Sequence, residues 1–157
     1  AEVELASHAD GGVKVRRIPL HDFFAGPGKT HRTPDELLTG VRIPVPPAGF
    51  VADFEKFGTR PALDISTVSV AIGGVLKQGA LTDVRVAFGA VAPVPYRAQA
   101  TAAAIEGKVL DDAAIESIGK AAQAEVHPID DVRASAWYRN ELIANLTKKV
   151  LRHVTQA

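Results

Sequence analysis

Cysteine and methionine are both missing from this chain of 157 residues. Without cysteine the chain can hold no disulfide, no thiolate–zinc site, no cysteine-ligated iron–sulfur cluster and no cysteine nucleophile. That absence fits a cytoplasmic location. Without methionine, and with an opening of Ala1-Glu2-Val3, the expectation is a trimmed initiator or tag, or the tail of a longer polypeptide. An excess of one charge is missing too: Lys plus Arg and Asp plus Glu number 18 each, so no global field draws nucleic acid or an anionic membrane. No apolar run approaches the ~20 residues of a membrane-spanning helix. No charged start leads into an apolar signal-peptide core.

What is present is ordinary globular composition, 46% hydrophobic and 23% charged. At this mass folding hides roughly 68% of the unfolded surface, enough for a core. Two styles of sequence adjoin. Up to about Ile72 the chain is rich in Pro, Gly and short apolar runs; from about Ala98 it is Ala-rich with helical periodicity. Glu2–Leu5 and Val13–Ile18 alternate about Gly11-Gly12 and predict a β-hairpin. Residues 19–30 read as a Gly/Pro-punctuated loop with one helical turn at the aromatics. Residues 36–43 predict a strand that Pro44, Pro46 and Pro47 must stop, and these prolines mark a subdomain junction, giving domains 1–47 and 48–157. Phe50–Phe57 is extended, a short turn or helix follows at Arg60–Asp64, and 67–76 with 84–91 form a second hairpin about Gln78-Gly79. Helices are expected over 97–106, closed by Gly107, from Asp111-Asp112 to about Ala124, and from between Asp131 and Ser135 to about His153. The last has an apolar stripe of Ala136, Leu142, Ile143, Leu146 and Val150, with Arg139, Glu141, Lys148, Lys149 and Arg152 on its polar face. Strands first, then helices packed on them, is an α+β order.

Several stretches invite a chemical reading. Gly26-Pro27-Gly28-Lys29-Thr30 resembles the end of a phosphate loop, but Phe23 stands where such a loop needs glycine, and a strand follows instead of a helix. A tight turn is the better account. His8, His21, His31, His127 and His153 show no metal-ligand spacing. Asp130-Asp131 could be paired carboxylates, although their place before a helix favours capping. The small-residue run Ala98–Ala104 suits a packed core helix or close approach by a partner helix. Lys56, at a strand end beside Arg60 and Asp64, could present a cation to a phosphate or an electron-rich ring; otherwise Arg60 and Asp64 form a surface pair.

Taken in order, these stretches resemble a family. Residues 18–30 (Ile18-Pro19-Leu20-His21-Asp22-Phe23-Phe24 to Thr30) look like a loop of the FAD-binding, or medium, subunits of molybdenum hydroxylases. These include xanthine dehydrogenase, aldehyde oxidoreductases and carbon monoxide dehydrogenase. Pro34-Asp35-Glu36-Leu37-Leu38-Thr39, then Phe54–Lys56 with Arg60 and Asp64-Ile65-Ser66, then Val86–Pro93 with Arg97-Ala98, continue the likeness. Asp130-Asp131-Val132-Arg133 with Tyr138-Arg139 completes it.

The resemblance implies the end of a flavin-binding α+β domain followed by an antiparallel sheet packed with about three helices. It implies FAD in the complete subunit, with Leu38 touching it from a strand and Lys56 approaching its flavin side; Arg60 and Asp64 hold the loop. It implies partners: the N-terminal half of the same subunit, carrying the Gly-rich pyrophosphate loops, and subunits bearing 2Fe-2S clusters and molybdopterin. Electrons would pass from those clusters through FAD to NAD or another acceptor. No catalytic or metal-ligating residue is assigned, and neither nucleic acid nor membrane insertion is expected. The rival expectation is a non-catalytic module whose helical face docks a partner subunit.

Overall fold

The computed structural model describes residues 1–9, 11–60 and 63–156. It divides into two compact units, Ala1–Pro46 and Pro47–Ala157. In the first, β1 (Glu2–Ala9) and β2 (Gly12–Pro19) form the expected hairpin, in register from Glu2 opposite Pro19 to Ala9 opposite Gly12. Gly11 takes a left-handed φ of +77° at the turn, where a side chain would be strained. The helical turn α1 (Leu20–Phe23) follows, then a short ribbon of β3 (Phe24–Gly26) and β4 (Lys29–Thr30). Lys29 and Thr30 are thus strand residues, and the helix N-terminus that a phosphate loop requires is not there. β5 (Glu36–Arg42) pairs with β1, giving the antiparallel order β2-β1-β5.

The core of this unit is small. Val3, Leu5 and Phe23 are buried, with Ile18 and Phe24 packed against them. Beside them Glu36, only 6% exposed, accepts a bidentate grip from Arg16 (Nη2 to Oε2 2.8 Å) and the Thr33 amide at 2.8 Å. Arg16 first, and then the Thr33 amide, hold the Glu36 carboxyl at a pKa of about 2.

The second unit is an antiparallel sheet with helices on one face. Its strands are β6 (Phe50–Phe57), β7 (Val68–Lys77), β8 (Ala80–Gly89) and β9 (Tyr96–Arg97), in that spatial order. Gln78 and Gly79 both have positive φ, the two-residue turn whose twist matches its flanking strands. β8 starts at Ala80 and not at Val84, because pairing resumes directly after that turn. The Glu106 carboxylate then supports the kink at Asp83 by accepting from the Asp83 and Val84 amides at 3.0 and 2.9 Å.

The helices are α2 (Gln99–Ile105), α3 (Asp112–Glu125) and α4 (Ala136–Val154). α2 begins two residues later than the periodicity predicts, because Arg97 is spent pairing β9 with β8. The small-residue run serves the core: Ala98, Thr101 and Ile105 are buried, and Glu125 closes the N-terminus of α2 through the Ala100 and Thr101 amides. Asp111 caps α3 through the Ala114 amide and Ser135 caps α4 through the Tyr138 amide. α3 and α4 approach closely at Gly119, where an added Cβ would lie 3.2 Å from the Ala144 carbonyl and nearer still to the Lys148 stem. The core joins Val70, Ile72, Leu81, Val86 and Phe88 of the sheet to Ile118, Ile143, Val150 and Leu151 of the helices. Burying this aliphatic stripe removes apolar surface from water at roughly 25 cal/mol per Å².

One sequence assignment on α4 fails. Arg139 is not on the polar face but is 3% exposed, buried by the contacts its guanidinium makes with three other segments.

Candidate functional site

The loop leaving β6 is built on Asp64. Its carboxylate accepts from the Thr59 amide, the Thr59 hydroxyl (3.1 Å) and the Arg60 amide (3.1 Å). Gly58 permits this, since a Cβ there would sit 2.5 Å from Asp64 Oδ2. Partial burial of the carboxyl favours its neutral form, but the bonds from Arg60 and Thr59 outweigh it and hold Asp64 below the usual carboxylate range. Arg60 donates its guanidinium to the Leu63 carbonyl, so it meets Asp64 through its backbone and not as a side-chain pair. Both residues hold the loop. Pro61 and Ala62, within the expected turn or short helix, lie outside the described residues.

Lys56 is the last but one residue of β6, on the sheet face turned away from the helices, and its ammonium donates to the Asp64 carbonyl at 3.0 Å. The cation is therefore fixed to the same loop. Beyond it a cleft of about 290 Å³ is lined by Thr59, Arg60, Asp64, Ile65, Thr67, Val132 and Arg133. Ile65 and Val132 are largely exposed there. Two guanidinium-bearing residues, threonines and two bare aliphatic side chains suit an anionic ligand with an apolar body.

Arg139 joins the walls of this cleft. Its Nη1 donates to the Thr67 and Ala90 carbonyls at 2.5 and 2.8 Å, and its Nη2 to Asp131 at 2.7 Å. Asp131 also accepts from the Arg133 and Ala134 amides, at 2.8 and 3.1 Å. The Arg133 amide first, and then the Arg139 guanidinium, hold its pKa at about 2. Asp130 accepts from the Ala136 amide at 2.6 Å. The two carboxylates are therefore cap and clamp, not an acid–base pair.

A pH dependence follows. The unfolded aspartate titrates near roughly 3.9, so the stability Asp131 contributes is complete above about pH 4 and is lost as the pH falls toward its folded pKa of about 2. Asp131→Asn should be less stable than wild type at pH 7, and should lose less between pH 4 and 2. Denaturant titrations at stepped pH check this, and parallel curves for the two proteins would refute it. Wild type and variant share a residual dependence from Glu36, which titrates in the same window.

The sequence-derived positions fall in different units. Leu38 lies on β5 of the first, opposite Leu5 and about half exposed; Lys56 lies on β6 of the second. Ile65, Thr67, Val132 and Arg133 carry no separate assignment in the sequence, because their cleft depends on an Arg139–Thr67 bond spanning 72 residues. Among the described residues no three or more His, Asp or Glu side chains converge on a metal position. His153 instead pairs with Asp53 at 3.0 Å, and Lys149 with Glu55 at 2.8 Å, tying α4 to β6. No helix is long and apolar enough to cross a membrane, among the described residues.

With this geometry in place, comparison with known proteins is decisive. Residues 53–154 match the model of the CO dehydrogenase flavoprotein C-terminal domain, and the chain belongs to that family. It is 33% identical to the xanthine dehydrogenase FAD-binding subunit of Escherichia coli O157:H7, over 99% of this chain and 53% of that one. It is likewise 33% identical to the glyceraldehyde dehydrogenase medium chain of Sulfolobus acidocaldarius, over 96% of this chain and 52% of the relative. Among solved structures it superposes on carbon monoxide dehydrogenase from Hydrogenophaga pseudoflava, a form lacking the Mo-pyranopterin moiety, with a TM-score of 0.83. That match has 27% identity and covers 98% of this chain and 52% of the other. The chain thus spans about half the length of the relatives it matches. Recognition from the ordered motifs and the α+β architecture are both borne out.

Proposed function

We propose that this chain is part of the flavoprotein subunit of a molybdenum-dependent hydroxylase or dehydrogenase. In that assembly electrons from iron–sulfur clusters on a partner chain reach FAD and leave for NAD or another acceptor. Unit 1 is then the end of the FAD-binding domain and the remainder is the flavoprotein C-terminal domain. FAD when bound supplies the redox chemistry; the protein supplies position and electrostatics. The observation that carries this reading is the bond from the Lys56 ammonium to the Asp64 carbonyl, which fixes a cation to the loop one residue before exposed Ile65.

Each unit offers one contact toward FAD in this reading: Leu38 an apolar side chain, Lys56 a positive charge. A diphosphate needs several backbone donors, and the Gly26–Gly28 turn is poor in them, since Pro27 has no N–H and a strand follows. One charged hydrogen bond is worth about 1.5–3 kcal/mol, whereas micromolar affinity requires about 8 kcal/mol. FAD titrated into this chain alone should therefore show no saturable binding near or below micromolar; such binding would place the phosphate site within these residues after all. Combined with the portion of the Escherichia coli subunit that it does not match, the chain should become yellow, and Leu38→Ala and Lys56→Ala should each weaken FAD retention. A colourless assembly would favour the rival reading of a non-catalytic docking module, which the exposed apolar side chains of unit 1 also support.

A further inference from the structure

The sheet of the second unit packs its helices on one face, and alternation sends every second residue to the other. On β6 this open face carries Phe50, Phe54 and Lys56. Asp53 and Glu55 turn the other way, to His153 and Lys149 of α4. Across the sheet, Phe54 stands opposite Ala71, Ala71 opposite Ala87, and Ala87 opposite Arg97. In the next row Gly73 stands opposite Arg85. In a chain of zero net charge, Lys56, Arg85 and Arg97 thus share a face on which no paired strand position is acidic. Arg85 and Arg97 are exposed diagonal neighbours, a separation of roughly 7–8 Å that long side chains span. Among the described residues neither has an ion-pair or hydrogen-bond partner, and Asp83 at the nearby kink supplies none. Like charges set side by side without a counter-ion cost stability, and an anion between them removes that cost.

We propose that Arg85 and Arg97 bind the phosphates of a nucleoside diphosphate whose base lies over Ala71 and Ala87 against Phe54. Guanidinium forks match phosphate oxygens in geometry as well as charge. The floor between the arginines and Phe54 is two methyl groups, so a flat ring approaches the sheet closely. Phe54, 59% exposed, walls that floor on the β6 side and offers a ring to stack on. The ring of Phe50 closes the end beside Arg85: it lies over Gly73, where an added Cβ would sit 3.0 Å from Phe50 Cζ. From β6 to β8 the trough spans two strand spacings, about 10 Å. All these residues belong to the second unit, so the inference does not depend on the flavin reading. The ADP half of FAD and the ADP half of a nicotinamide dinucleotide share this chemistry. Two guanidinium groups without a backbone cradle give an affinity of about millimolar, which agrees with the lack of micromolar FAD binding expected above.

The test titrates the full chain with ADP, pyrophosphate and adenosine, followed by protein NMR at one fixed ionic strength. ADP and pyrophosphate should saturate near about millimolar, and adenosine should bind at least tenfold more weakly. Arg85→Gln with Arg97→Gln should weaken ADP at least tenfold and leave the melting temperature unchanged, because both side chains are in water. Phe54→Ala should weaken ADP but not pyrophosphate. Arg152→Gln, which removes an exposed cation of α4, should leave all three titrations unchanged. No saturation by ADP, adenosine binding as tightly as ADP, undiminished binding by the double variant, or equal weakening by Arg152→Gln would each overturn the proposal. The source is read in the complex with the unmatched portion of the Escherichia coli subunit. If the site serves FAD, loaded FAD excludes ADP and the double variant loses its yellow colour. If it serves a dinucleotide acceptor, the yellow complex still binds ADP, and the double variant abolishes that binding while keeping its colour.

Discussion

Replacing Arg139 by leucine should destabilise the Pro47–Ala157 unit by about 3–5 kcal/mol, the usual cost of removing one partner from a buried charged network. The guanidinium is the shared donor for the Thr67 and Ala90 carbonyls and for Asp131. Without it two carbonyls lose a partner in a water-poor site, at about 1–3 kcal/mol each, which is consistent with that total. Leucine fills the volume but donates nothing. Lysine retains the charge but lacks the planar fork, so Arg139→Lys should recover only part of the loss. In the leucine variant the Asp131 carboxyl should titrate closer to the ordinary range, since one of its two principal partners is gone. Urea unfolding at neutral pH, together with the carboxyl titration, measures both effects. A loss below about 1 kcal/mol would show that the loop and the 130–135 segment hold their places without Arg139.

Phe88→Ala should cost about 3–5 kcal/mol for a different reason, the loss of the free energy gained by keeping the ring out of water and the cavity left by its removal. Phe88 is 1% exposed on β8, between Val70 and Tyr96 in register, and lies in the cluster that joins sheet to helices. Phe88→Leu keeps most of the volume and should lose markedly less. The two substitutions compared by denaturant titration separate packing from polar loss: the Phe88 series should follow side-chain volume, whereas the Arg139 series follows donor number. An alanine variant as stable as wild type would mean the helical layer closes over the gap.

The secondary structure was largely legible because each element states its own limits locally. Alternation about Gly11 and Gly79 marks two hairpins, since only glycine takes positive φ freely. Pro44, Pro46 and Pro47 cannot donate to a sheet and so end β5. Asp111 and Ser135 satisfy orphan amides and so start α3 and α4. The family, too, was readable from ordered motifs, because the loop residues Thr59, Arg60 and Asp64 bond to one another within a few positions of sequence, with Gly58 leaving room for the carboxylate. Where local rules conflicted, the reading slipped by a few residues: the kink at Asp83 looks like turn sequence, yet Glu106 supplies its amides from 23 residues away.

What only the tertiary structure decided is of one kind, contacts between segments far apart in the chain. Arg139 at a helical surface spacing reads as solvated, and no periodicity reveals that Thr67, Ala90 and Asp131 surround it. The guanidinium ties together the segments that line the cleft of Ile65, Val132 and Arg133. Likewise, Leu37 and Leu38 are adjacent and chemically identical. Pairing in register with Ala6 and Leu5 sends one to the open face and the other to the face of Val3 and Leu5, where it is still about half exposed. A side chain's own chemistry and its near neighbours determine the turn, cap or strand it makes; which distant groups it meets depends on how sheet and helices pack, and that is not written at any single position.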